Sequence, residues 1–195
     1  MSARQDPQVD VEILAAGIVQ LPAYLRSSAV ARPIVVTVAG QTYRPGISIG
    51  FLLDLMGDLK RRAPDLDPEL AARIAPLARE FEVTRAMDAA AYADHLQREL
   101  KSQLDGLKYY LDDLTRAKGD PGADYPAEIR ARTRIALLLA EADARGVDTA
   151  SARARLAELD RTLEALVEPG PYCGPPEQAA HYPERDHPWL YRRPR

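Results

Sequence analysis

The stretch Leu96–Leu114, LQRELKSQLDGLKYYLDDL, puts leucine at 96, 100, 104, 107, 111 and 114. Steps of three and four residues return a side chain to one face of a 3.6-residue helix, whereas a strand needs steps of two. With Ala89 and Ala93 ahead of it, the pattern predicts a helix from Thr84 to Lys118. At 1.5 Å per residue it would run roughly 50 Å, longer than a compact domain of this size needs, which implies an elongated bundle.

Beyond that helix, Gly119-Asp120-Pro121-Gly122 has turn chemistry, and Tyr125-Pro126-Ala127-Glu128 restarts a helix that Gly146 should stop. Asp148 or Thr149 can cap a last helix whose Ala152, Leu156, Leu159, Leu163 and Leu166 form a heptad-like seam. Short connections between long helices force antiparallel neighbours, so residues 84–167 should form an up-down-up unit. Upstream, Asp67-Pro68-Glu69 is a strong start for a helix to Glu82, which Pro76 should kink or split. This helix could supply a fourth wall.

The chain's dense β-branched run lies earlier still, in Ile34-Val35-Val36-Thr37-Val38, and Ala39-Gly40 ends it. It predicts a hairpin over about 33–44, with Pro33 and Pro45 as outer limits because proline donates no ladder hydrogen bond. Ser48 can cap a helix to Arg62 that carries Ile49, Leu52, Leu53, Met56 and Leu59 on one face. Between Val9 and Leu25, the spacing of Val11, Leu14, Ala15, Ile18 and Leu21 suits a helix, while Gly17 and Pro22 leave an extended reading open. The fold class is therefore mainly α with a small β-hairpin (α+β), an up-down helical bundle with an extended C-terminal arm. Three segments are expected: 1–62 with the hairpin, the antiparallel bundle at 63–168, and the arm at 169–195.

The chain has 195 residues, 46% hydrophobic and 28% charged, an ordinary globular composition. A formal net charge of -3 and a pI near 5.7 provide no basic field to draw it to nucleic acid or anionic lipid. The N-terminal MSARQDPQVDVEI lacks a secretory pattern and the apolar runs are short, so a cytoplasmic protein without a membrane span is expected. Cys173 is the single cysteine, which excludes an internal disulfide framework.

Few side chains make a catalytic set. Glu184 and His187 have the spacing of a di-iron bundle ligand pair, but in a proline-flanked tail and without a second copy. Cys173, His181 and His187 are the candidates for a metal or thiol site, although their spacing matches no established zinc pattern. His95 reads as a helical histidine beside the leucine seam. Asp112 and Asp113 diverge around their helix, and Arg130, Arg132 and Arg134 read as a solvated face. No phosphate loop is present and no cofactor is expected.

The C-terminus differs in chemistry from the rest. Seven of 16 prolines fall between Pro169 and Pro194, together with Tyr172, Tyr182, Trp189 and Tyr191 among twelve aromatics. Trp, Tyr and Arg dominate interface hot spots, and a proline-stiffened backbone loses less entropy on docking. The predicted partner-binding residues are Tyr172, Tyr182, Trp189, Leu190, Tyr191, Arg192 and Arg193, in an arm that docks on its own bundle or on another chain. The expected function is a non-enzymatic assembly or adaptor subunit that binds a protein partner or its own oligomer. The alternatives are a metal- or thiol-dependent enzyme using Cys173, His181 and His187, and a weak single-strand nucleic-acid binder using the terminal arginines and aromatics.

Overall fold

The computed structural model describes residues 6–116 and 121–195; the predicted turn residues Gly119 and Asp120 lie outside them. The fold is mainly helical with short antiparallel strand pairs. Helix α1 (Pro7–Leu25) leads into strands β1 (Arg32–Pro33), β2 (Val36–Val38), β3 (Gln41–Tyr43) and β4 (Gly46–Ile47), then helices α2 (Ile49–Arg62), α3 (Pro68–Met87) and α4 (Ala89–Thr115). Helices α5 (Pro121–Glu128), α6 (Arg130–Ala144) and α7 (Ala150–Leu166) follow, then β5 (Val167–Pro169), two 3-10 turns (Pro176–His181 and Pro188–Tyr191) and β6 (Arg192–Pro194). Contacts group the chain into one compact unit up to Glu99 and another from Leu100 to Arg195, with α4 contributing to both.

In the first unit, α1 is a helix and the extended alternative fails. Asp6 caps it by accepting from Gln8 N–H at 3.0 Å, Pro7 fits the first turn, and Val9, Val11, Ile13, Leu14, Ile18, Leu21, Tyr24 and Leu25 are all buried. Gly17 lies on the packed side because Leu52 of α2 approaches so closely that a methyl there would sit 2.6 Å from Leu52 Cδ2. The four strand pieces form one hairpin in a single register, Arg32 opposite Ile47 through Val38 opposite Gln41. Ala39 (φ 48°) and Gly40 (φ 81°) close it, the left-handed pair that a two-residue turn requires.

The hairpin runs past the limits assigned to Pro33 and Pro45. Ile34 N–H donates to Pro45 O at 2.9 Å, so Pro45 supplies only an acceptor, and Pro33 opposite Gly46 falls between hydrogen-bonded pairs. Neither proline is asked for a proton. Ile34, Val36 and Val38 turn inward while Val35 and Thr37 face out.

Helix α3 starts on the Asp67 cap and continues through Pro76 to Met87 without the predicted split. Pro76 and Ala72, four residues before it, are both exposed, so the carbonyl that proline leaves unpaired can be hydrated. The helix break comes at Asp88 rather than near Thr84: Asp88 (φ −140°, ψ 68°) ends α3, and its Oδ1 accepts from Ala91 N–H at 3.1 Å to start α4. Helix α3 packs on α1 and α2.

In the second unit, Leu100, Leu104, Leu107, Leu111 and Leu114 of α4 are buried, as are Leu156, Leu159 and Leu163 of α7. Asp160 near the end of α7 meets Arg132 near the start of α6, and Asp143 near the end of α6 pairs with Arg153 near the start of α7. Those two contacts set α6 and α7 antiparallel. Gly146 (φ 68°) stops α6, and Val147 N–H returns to Ala142 O at 2.9 Å. The helix predicted from Tyr125 to Gly146 starts earlier, at Pro121, so that Pro121 and Gly122 of the predicted turn are helical. It is interrupted once at Ile129, which is fully buried and whose carbonyl accepts from Arg132 N–H at 3.0 Å, a tighter 3-10 step.

The Gly17–Leu52 contact gives a direct test of packing against propensity. Alanine is the better helix former by about 1 kcal/mol, whereas overpacking a closed core costs about 1–3 kcal/mol. Gly17→Ala should therefore destabilise the protein, read as a lower urea midpoint with unchanged m-value; a higher midpoint would show that Leu52 moves aside freely.

Candidate functional site

The residues predicted to bind a partner converge in a clasp on the second unit. Strand β5 pairs antiparallel with β6, Val167 opposite Pro194 and Pro169 opposite Arg192. The arm, expected to be extended, carries two 3-10 turns and the strand β6. Gly170 N–H donates to Tyr191 O at 2.9 Å and Arg195 N–H to Leu166 O at 3.1 Å. Pro169 and Pro194 fall between hydrogen-bonded positions, while Pro176 and Pro188 open the 3-10 turns where no backbone donor is needed.

Trp189 anchors the clasp. Its indole N–H donates to Thr133 Oγ1 at 2.9 Å, its carbonyl accepts from Tyr125 O–H at 2.8 Å, and the Arg132 guanidinium lies 4.2 Å from its ring centre. Arg132 also makes a bidentate pair with Asp160, at 2.7 and 2.9 Å. It therefore joins α6, α7 and the arm, instead of lying on a solvated face. A cation over an indole contributes about 0.5–2 kcal/mol, and the carboxylate fixes the guanidinium plane that the ring meets.

Behind Trp189, Tyr172 stacks on Tyr182 with ring centres 6.1 Å apart and contacts Tyr191 at 5.4 Å. The Tyr191 hydroxyl reaches the carbonyls of Tyr182 at 2.9 Å and Ala179 at 3.2 Å. Tyr182 and Leu190 are buried. Arg193 pairs with Glu168 across the ladder, Nη2 to Oε1 at 2.6 Å, and Arg192 lies 3.6 Å from Glu184. All seven predicted partner residues thus belong to the clasp, engaged within their own chain.

The metal and thiol candidates do not converge. Among the described residues, no group of three or more His, Cys, Asp or Glu side chains is arranged to hold a metal ion. His187 packs edge-on to Tyr182 at 5.2 Å and Trp189 at 5.7 Å. Cys173 is half-buried; burial pushes its thiol up, against a backbone hydrogen bond and then Arg130, which act in the opposite direction, so little nucleophilic thiolate is present at neutral pH. No described helix is long and apolar enough to cross a membrane.

The first unit holds a polar cluster that the sequence reading passed over. Glu99 has no exposed surface. Its carboxylate accepts from Ser48 O–H at 2.5 Å, Ile49 N–H at 2.8 Å and Gly50 N–H at 2.9 Å, which caps α2 from another helix. Ser48 Oγ accepts in turn from Phe51 N–H at 3.2 Å, as its position predicts. The signal for Glu99 was an acid inside a leucine seam, three residues after Leu96 and one before Leu100.

One turn earlier, His95 is buried, its Nε2 3.0 Å from Ser27 O and its ring centre 4.6 Å from that of Tyr24. A carbonyl only accepts, so Nε2 carries the proton in the neutral ring. Burial, and then the nearby Arg98 charge, hold His95 below its ordinary value, while burial and Glu99 push the Tyr24 phenol up.

Two measurements follow. Glu99→Ala leaves several buried donors without their acceptor and should lower stability by about 3 kcal/mol or more, with Glu99→Gln less severe because one oxygen survives; urea midpoints check both. An unfolded His95 takes a proton near its ordinary value of 6.5 while the folded one resists. The histidine's contribution to stability is therefore complete above that pH and lost as pH falls below it. His95→Gln should flatten the dependence of the midpoint between pH 7.5 and 5.5, each on the order of one unit from that value; an unchanged slope would remove His95 as its source. No protein-family model, curated protein or solved structure matches this chain.

Proposed function

We propose that the protein is a non-enzymatic assembly or adaptor subunit, and that its docking device is the C-terminal arm together with the helical surface that accepts it. The observation that carries this reading is the Trp189 anchorage. A proline-stiffened segment lies on α5 and α6 through the residue types that dominate protein interfaces, with both ends of each polar contact satisfied. Groups placed this way recognise a peptide; they provide no activated nucleophile or base. The half-buried thiol with its raised pKa, and the absence of a converged ligand set among the described residues, give the enzyme reading no support.

The test compares the native mass of the full chain, in complexes recovered under non-denaturing conditions, with that of a chain lacking residues 169–195. The full chain should run above the mass of one copy, and the truncated chain as a single copy with nearly unchanged helical circular dichroism. Trp189→Ala, a smaller lesion, should weaken assembly in the same direction. Equal masses for full and truncated chains would overturn the proposal.

A further inference from the structure

We infer that the partner of the arm is a second copy of this chain, each copy placing its residues 188–195 into the other's clasp. The inference rests on the docking reading above and names its occupant. The groups that receive the segment include Tyr125, Arg132, Thr133 and Glu168, and those that enter include Trp189, Tyr191, Arg193 and the β6 backbone. Every copy therefore carries both halves of a complementary surface. One half is an indole and a guanidinium; the other presents a guanidinium held by Asp160, two hydroxyls and a carboxylate.

The connection between the halves is built to open. Pro183, Glu184, Arg185 and Asp186 are all exposed, between buried Tyr182 and the Trp189 anchor. Within this turn, Asp186 N–H donates to Pro183 O at 3.0 Å, and His187 N–H lies 3.1 Å from Pro183 O and 3.2 Å from Glu184 O. Opening it frees backbone groups that water can satisfy and parts the His187 ring from Tyr182, and each contact of Trp189, β6 and Arg193 re-forms in the neighbouring copy. Pro183 and Pro188 bracket the turn and favour extended backbone at the residues before them, the conformation that an exchanged hinge needs. Residues 183–187 can then span roughly 17 Å. Closure within one chain wins in dilute solution, because the tethered segment is at high effective concentration. Exchange is therefore a concentrated-state or assembly-coupled event, and the partner copy supplies the indole to the Arg132–Thr133 site.

Paired cysteines distinguish the two arrangements. In a Cys173→Ser background, Glu168→Cys and Arg193→Cys occupy directly opposed, exposed ladder positions. Oxidation of the concentrated protein should give disulfide-linked two-chain species on a non-reducing gel. Their share should rise at least severalfold with protein concentration, and mixed species should form when tagged and untagged copies are refolded together. Exclusively intramolecular disulfides at every concentration would overturn exchange. If the arm-dependent complex persists in that case, docking stands with another partner; if complex mass is indifferent to arm deletion, both readings fall. Uncrosslinked protein with native circular dichroism but no disulfide of either kind would also count against exchange, because the ladder would not bring these positions together in either arrangement. A parallel light-scattering series on the unsubstituted chain should show two-copy mass at high concentration, and a single-copy mass throughout would likewise overturn it.

Discussion

A carboxylate with no exposed surface organises the first unit. Glu99 takes the hydroxyl of Ser48 and the first amides of α2, so the positive end of one helix is neutralised by a side chain of another. Burying an ion is tolerable only where its oxygens are fully engaged, and here the donors are backbone and hydroxyl groups held rigidly by the helix start. The arrangement ties the start of α2 to Glu99, and Tyr24, His95 and Ser27 form the next layer of the same polar seam. Around it the apolar contacts need only fill space, which Leu52 does tightly enough to exclude a side chain at Gly17.

Much of the helical framework was legible in the sequence because its signals are local. Ser48, Asp67 and Gly146 do what their side chains or lack of one dictate: two oxygen acceptors at helix starts, one left-handed stop. The leucines of α4 and α7 turn inward as their spacing requires. What the sequence did not show depends on surroundings. Pro76 does not interrupt α3 because its face is exposed, and Asp88 ends one helix and begins the next only because it adopts a conformation outside both. The hairpin prolines exceed their expected limits because register, invisible in composition, decides whether a missing donor matters.

The candidate site was legible in composition and not in contact. The aromatic and proline enrichment after Pro169 marked the segment, and Trp189, Tyr191 and Arg193 are engaged there. Its partners could not be read from sequence: Arg132, Thr133 and Tyr125 are more than fifty residues away and look like ordinary helix surface. Arg132 in particular sits among acids and basic neighbours that mask it, and only the meeting of Asp160 and the indole singles it out. Glu99 was hidden for the opposite reason, since a single acid in a long amphipathic helix resembles any solvated glutamate.

The position of Trp189 also makes the molecule unusually easy to observe. It is the chain's one tryptophan, beneath a guanidinium and hydrogen-bonded through its ring nitrogen. Light absorbed selectively by indole therefore reports the clasp alone. The clasp thus carries its own optical label without any being introduced, and its opening can be followed apart from the unfolding of the chain as a whole, whose nine tyrosines lie in both units.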